Sequence, residues 1–280
     1  MAPPRDASTD GPREDRPEEG VELPCTRPVA DRPAGSVCVR EVRGRVVDER
    51  DAPRVDIPVT VCGPVCWLGR TDAEGRFAVT VGDFIPLAIY SVLAHGRPDH
   101  ATVYVPLPAE VGSGDVVTLG DAIRVPRYTV NGGSFDGDAG VVRAGEIQVR
   151  VPPGARVELD LEDYKLGALG RMLRVAEVAP DRAPPFAREG RAQAVWALAP
   201  FNLQSSVGFG IRVPNTLGLA PGARVEFFAM GWELLPPRAN AGRAVDVANG
   251  AVTPDGAAIE SDPDAGVPAL TWIAVRARSN

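Results

Sequence analysis

Two histidines, four cysteines and a few grouped carboxylates hold most of the chemistry open to this 280-residue chain. The histidines approach each other once, in His95-Gly96-Arg97-Pro98-Asp99-His100. A zinc hydrolase needs two such ligands on one helical face, with a third ligand and an open coordination position. Gly96 and Pro98 forbid that helix, so the segment reads as a polar hairpin turn between strands, and His95 and His100 remain only as ligand-surface candidates. No further histidine exists to build a catalytic base elsewhere. There is no G-x-S-x-G elbow, and no cysteine has a partnered histidine in a recognisable local pattern. Gly208-Phe209-Gly210 lacks the third glycine and the helix that a phosphate-cradling loop requires. The expectation is a protein with no catalytic residue, no cofactor and no metal ligand.

Cys25, Cys38, Cys62 and Cys66 all fall in the first quarter of the chain. Disulfides, a zinc site and buried free thiols are the readings such a set allows. Structural zinc prefers closely paired ligands of the C-x2-C kind, whereas three residues separate Cys62 from Cys66 and twelve separate Cys25 from Cys38. Four cysteines permit three pairings, and the sequential one, Cys25–Cys38 with Cys62–Cys66, is the expectation. It implies maturation in an oxidising compartment. Asp136-Gly137-Asp138 and the later group Asp255, Glu260, Asp262 and Asp264 place oxygen ligands on loops, as extracellular calcium sites do. The plainer reading is solvated turns. Trp67 and Trp232, the latter near Phe227 and Phe228, could stack a sugar ring, although aromatic residues at strand positions usually fill a core.

The elements that must position these groups are strands. Gly 30 and Pro 28 are costly inside helices and useful in turns. Apolar content of 44% is enough for folded domains, and the length allows one large core or two ordinary ones. Strands are expected near Cys38–Val47, Ile57–Cys62, Arg76–Val81, Leu87–Ala94, Ala101–Val105 and Val116–Val125, with a short helix between Ala109 and Gly114. A second block opens near Tyr128, and Ile147-Gln148-Val149-Arg150-Val151 alternates cleanly before Pro152-Pro153-Gly154 ends it. Leu166–Val178 has apolar residues at helical spacing, but Gly167 and Gly170 weaken a helix and its second half alternates, so a strand is expected there. Residues 1–37, rich in proline and acidic side chains, cannot bury enough apolar surface to fold and read as a disordered tether.

Two phrases resemble known families. Gly44-Arg45-Val46-Val47-Asp48, then Pro58-Val59-Thr60-Val61, then Thr71-Asp72-Ala73-Glu74-Gly75-Arg76-Phe77 resembles the carboxypeptidase regulatory-like domain, a transthyretin-type (Cna-B-like) β-sandwich. Gly132-Gly133 followed by Ile147-Gln148-Val149-Arg150-Val151-Pro152-Pro153-Gly154-Ala155 resembles the opening of ZU5-type β domains. Ala197–Phe201 and Phe209–Asn215 are similar to later stretches of the same module. The closing stretch from Gly218 to Val267 resembles repeats in large bacterial surface proteins. ZU5 proteins that cleave themselves do so at a Phe-Ser bond after His, and Ser134-Phe135 stands here in reverse order without that His. These resemblances imply an all-β chain of two antiparallel sandwich modules in series, 38–126 and 127–280, behind the tether at 1–37. They imply a non-catalytic structural, adhesive or protein-interaction module. Starch-binding-like relatives of the sandwich imply a carbohydrate-binding module as one alternative, and an accessory domain of a metal-dependent peptidase is the other.

A formal charge of -7, with basic residues scattered along the sequence, argues against a nucleic-acid partner and leaves an unknown protein or a glycan. No stretch reaches the ~20 apolar residues that span a bilayer. The first twenty residues lack the apolar core of a signal peptide, which taken literally means a cytoplasmic protein. Their composition resembles the tethers of bacterial surface lipoproteins, which implies a cell-envelope or extracellular location and a signal segment upstream of Met1.

Overall fold

The computed structural model describes residues 25–136 and 140–278. Residues 1–24 of the expected tether, and Asp138 of the first acidic group, lie outside the described residues, whereas residues 25–37 are ordered and not tether: they hold a 3-10 turn at Val29–Asp31 and the start of the first strand, with Arg27 paired to Asp83. The remainder is all-β, as expected, with helices of five residues or fewer.

The first module holds eight strands: β1 (Val37–Val47), β2 (Pro58–Cys62), β3 (Cys66–Arg70), β4 (Arg76–Ile85), β5 (Ser91–Ala94), β6 (Val103–Pro106), β7 (Val116–Thr118) and β8 (Ile123–Arg124). One sheet runs β4-β1-β7, with β8 also on β1, and the other runs β3-β2-β5-β6. β1 carries its valines inward at 39, 42 and 46, and a register shift against β4 between Val39 and Glu41 reconciles that uneven spacing with the period of two. β4 is antiparallel to β1, whereas β7 and β8 run parallel to it.

The turn before β4 is built from side chains. Asp72 Oδ1 accepts the amides of Glu74 at 2.9 Å and Arg76 at 2.8 Å. Gly75 sits at φ 73°, where a Cβ would lie 2.5 Å from the Val46 carbonyl oxygen, so only glycine closes this turn against β1. Four details differ from the sequence expectation, the first being that no helix forms between Ala109 and Gly114, where the Gly-Ser-Gly leaves only a 3-10 turn at Ser113–Asp115. Val116–Val125 is two short strands separated at Leu119–Ala122, and Leu87–Ile89 is a 3-10 turn ahead of β5. β3 had not been expected as a strand, because Gly69 interrupts its apolar alternation.

The second module contains β9 (Val130–Ser134), β10 (Gly140–Ala144), β11 (Ile147–Val151), β12 (Val157–Glu158), β13 (Met172–Val178), β14 (Ala194–Ala199), β15 (Leu203–Pro214), β16 (Arg224–Met230), β17 (Ala244–Val252), β18 (Ala258–Ser261), β19 (Val267–Leu270) and β20 (Trp272–Ala277). Three short helices, α1 (Leu161–Lys165), α2 (Ala168–Arg171) and α3 (Pro185–Glu189), interrupt the strands, and Phe186 of α3 packs on Phe228 of β16. The ambiguous Leu166–Val178 stretch therefore divides into one helical turn and the expected strand. These strands form one sheet in the order β10-β11-β15-β18-β17-β16-β20-β14-β13-β9. β15 also pairs with β12 and β19, with a register break between Gln204 and Phe209 that bends the sheet.

The sheet rolls over on itself until β9 nearly meets β10, and its two sides pack across one interior as the layers of a sandwich do. At that seam a Cβ on Gly132 would lie 2.0 Å from the Arg143 carbonyl oxygen, so the approach requires glycine. Trp196, Leu198, Phe209, Ile211, Phe227 and Ile273 fill the interior. On β14 the alternate residues Val195, Ala197 and Ala199 are also buried, because they face the first module.

Candidate functional site

The most built feature of the molecule is the junction between the two modules. One apolar core runs without a break from Val59, Val61 and Val92 of the first sheets to Val195, Ala197, Phe228 and Trp272 on the outside of the rolled sheet. Trp272 and Phe186 meet edge to face at 6.3 Å, as do Phe186 and Phe228 at 6.0 Å. Small residues on β14 keep the outer face flat enough for this packing. Two polar groups carried into the junction find partners across it. Trp272 Nε1 donates to the Thr102 carbonyl at 2.9 Å, and Ser91 Oγ donates to the Ala241 carbonyl at 2.7 Å.

The His95–His100 loop joins β5 to β6 as expected, but it is not a solvated hairpin. It is wedged against the second module, with His100 buried and the Arg97 side chain only 9% exposed. Asp160 caps α1 by accepting the Glu162 amide, which turns Asp163 inward to full burial. Asp163 Oδ2 then accepts the Phe201 amide at 2.9 Å and lies 3.1 Å from Arg97 Nη2. Arg174, 2% exposed on β13, lies 3.9 Å from the same carboxylate and donates to the Pro98 carbonyl. Its guanidinium also stacks on Tyr128, and that of Arg97 on Phe201. Burial pushes the Asp163 carboxyl above the usual carboxylate range, while Arg97 draws it back. Asp163 Oδ1, Arg174 Nε and Nη2, and Arg97 Nε complete no hydrogen bond with protein atoms. Neither Asp163 nor Arg174 stands out in the sequence, and Arg97 reads there only as a loop residue. The single local signal was a charged residue inside the apolar run Leu173-Arg174-Val175.

His95 packs within this junction, its Nε2 3.4 Å from Thr60 Oγ1. Burial, and next the positive charge of Arg97, lower its pKa to about 4. His100 stands apart beside Arg54, and burial, then the charge of Arg54, lowers its pKa too. The unfolded chain binds a proton at His95 near pH 6.5 and the folded one does so only near 4, so this group's contribution to stability is lost as pH falls through that window. The loss amounts to at most about 3 kcal/mol. His95→Gln is expected to remove it. Urea titrations at pH 7 and pH 4.5 check this, and the difference between wild type and variant isolates His95 from the opposing trend of Asp163.

The cysteines pair as expected, Cys25 with Cys38 and Cys62 with Cys66, at Cα separations of 5.8 and 4.2 Å. The first fastens the chain ahead of β1 to that strand, and the second joins directly opposite residues of β2 and β3 across a three-residue turn. Loop-closure entropy predicts a loss of about 3 kcal/mol for the Cys25→Ser/Cys38→Ser pair, and about 1 kcal/mol less for Cys62→Ser/Cys66→Ser. Denaturant midpoints of the two double variants rank them.

The later carboxylates do not converge on calcium. Asp255 accepts Thr253 Oγ1 and the Ala257 amide, which closes a turn and lowers its pKa. Glu260 pairs with Arg212, Asp262 takes both arms of Arg224 at 2.9 and 2.5 Å, and Asp264 stands exposed. Asp136 accepts Ser134 Oγ. Among the described residues no three His, Cys, Asp or Glu gather as metal ligands. Trp67 is half-buried against Tyr90, their ring centres 5.7 Å apart, and Trp232 is half-buried against the interior of the second module. Each therefore has one face committed to a core.

No helix among the described residues is long and apolar enough to cross a membrane. Compared with protein-family models, curated proteins and solved structures, the chain matches none of them.

Proposed function

We propose that this chain is a non-catalytic structural and adhesive module of the cell surface, which presents a rigid two-part β body to a protein partner. The observation that carries the reading is the junction. Charged and aromatic side chains that could have served chemistry are taken up in locking two sheets together, and the grouped carboxylates in turns and arginine pairs. Two disulfides support an oxidising compartment. The likeness to carboxypeptidase regulatory-like and ZU5-type modules, and of the first residues to lipoprotein tethers, supports a place at the envelope. A protein partner is favoured over a glycan because the stapled β2–β3 hairpin exposes Val65 and Leu68, the latter 79% exposed, whereas Trp67 beside them is turned partly inward.

Lys165 is the sole lysine and its side chain is 59% exposed. An amine-reactive reagent that does not cross membranes should therefore label it on intact source cells as fully as in lysate. Labelling only after lysis would overturn the surface reading. Hydrolase activity lost in His95→Ala or His100→Ala would overturn the non-catalytic one.

A further inference from the structure

The strand order of the first module points to a mechanical role: we infer that β1, β7 and β8 form a shear clamp, which holds the module closed when the chain is pulled from its N-terminal side. The inference deepens the surface-module reading and rests on it for its setting, while the clamp itself is read from topology.

The path of a load is short. Tension applied ahead of Cys25 crosses the Cys25–Cys38 disulfide and enters at the start of β1, so residues 26–37 are bypassed. The chain leaves the module at the far end, through β8 into β9. Both β7 and β8 lie parallel to β1, with Glu41 beside Val116, Val42 beside Val117 and Arg43 beside Thr118, then Val46 beside Ile123 and Val47 beside Arg124. β1 is thus drawn towards its beginning and β8 towards its end, in opposite directions along a shared axis. In that geometry the hydrogen bonds between the strands are strained together. In a hairpin pulled at its open end they break in succession.

Bonds outside the paired residues lengthen the clamp. The Leu119 amide donates to the Arg43 carbonyl at 2.9 Å, the Val125 amide to the Val47 carbonyl at 2.9 Å, and Arg40 Nε to the Gly114 carbonyl at 2.6 Å. Sliding would also uncover Val42, Val46, Val117 and Val125, all fully buried beneath it. Sliding therefore strains the strand bonds and exposes that apolar layer in the same step, so the clamp yields as a unit. The exit from β8 is itself held, because Ala101 donates to the Pro126 carbonyl and Tyr128 to that of Asp99.

Single-molecule force spectroscopy on the full chain tests the inference. One handle is fixed at Arg127, exposed just past the end of β8, and the other is placed either ahead of Cys25 or at Arg50. Arg50 is exposed in the turn after β1, next to Asp51, which pairs with Arg124 of β8. Pulling from Arg50 starts beside the exit of β8 and peels β1, so its rupture force is expected to be lower by about twofold or more, because forced unfolding follows the barrier along the pulled path. Equal forces, or a lower force from the N-terminal handle, would overturn the clamp. A pair of variants gives a second reading. Leu119→Pro removes one clamp bond, whereas Val92→Ala removes core volume from β5 in the opposite sheet. The proline variant should lose the larger share of rupture force per unit of equilibrium stability lost. The reverse ranking contradicts the clamp, and because these readouts are independent of cell location, their failure leaves the surface-labelling result standing.

Discussion

Asp163→Ala is expected to destabilise the protein by about 3–5 kcal/mol, because it strands two guanidinium groups inside the junction. The carboxylate lies at 0% exposure, accepts the Phe201 amide and faces Arg97 at 3.1 Å and Arg174 at 3.9 Å, which come from three separate stretches of the chain. Its removal leaves Arg174 charged, 2% exposed and without its counter-ion. Asp163→Asn keeps the shape and can still accept from Phe201, so it should cost less than alanine. Urea midpoints at pH 7 compare the two. A loss below about 1 kcal/mol for alanine would mean that the arginines find water and that the cluster holds nothing together.

Trp272→Ala is expected to cost about 3–5 kcal/mol by opening a cavity where the two modules meet. The ring is fully buried, packs edge to face on Phe186 and donates to the Thr102 carbonyl from the other module. Trp272→Phe should recover most of the packing and leave the Thr102 carbonyl without its donor, a penalty of about 1–3 kcal/mol. For a chain of this size each kcal/mol shifts the thermal midpoint by about 2–4 °C. Protection of the Ser91–Val103 amides from hydrogen exchange should fall in the alanine variant, although those residues are far from Trp272 in sequence. Unchanged protection there would place Trp272 in the core of the second module alone.

Much of the strand architecture was legible because period-two alternation and turn chemistry are local signals. Val42 and Val46 on β1, Ile147-Gln148-Val149-Arg150-Val151 on β11, and Asp72 with Gly75 ahead of β4 each state their conformation within a few residues. The cysteine pairs were legible for the same reason. What failed to show is what depends on distant residues. Asp255, Glu260 and Asp262 look like a ligand group in sequence, yet Arg212 and Arg224 claim two of them from other strands. The His95–His100 loop has the composition of a surface turn, and only the arrival of Asp163 and Arg174 makes it an interior one. The run Ala194–Ala199 gives no period because both of its faces are covered, one by the interior of its own sheet and the other by the first module. Nothing local marks which apolar face meets which.

The core around Trp272 and the Asp163 cluster join the two modules into a single cooperative body, and differential scanning calorimetry of the oxidised protein at neutral pH tests this most directly. One transition is predicted, with calorimetric and van't Hoff enthalpies that agree. Two resolved transitions, with Asp163→Ala and Trp272→Ala shifting only one of them, would contradict it.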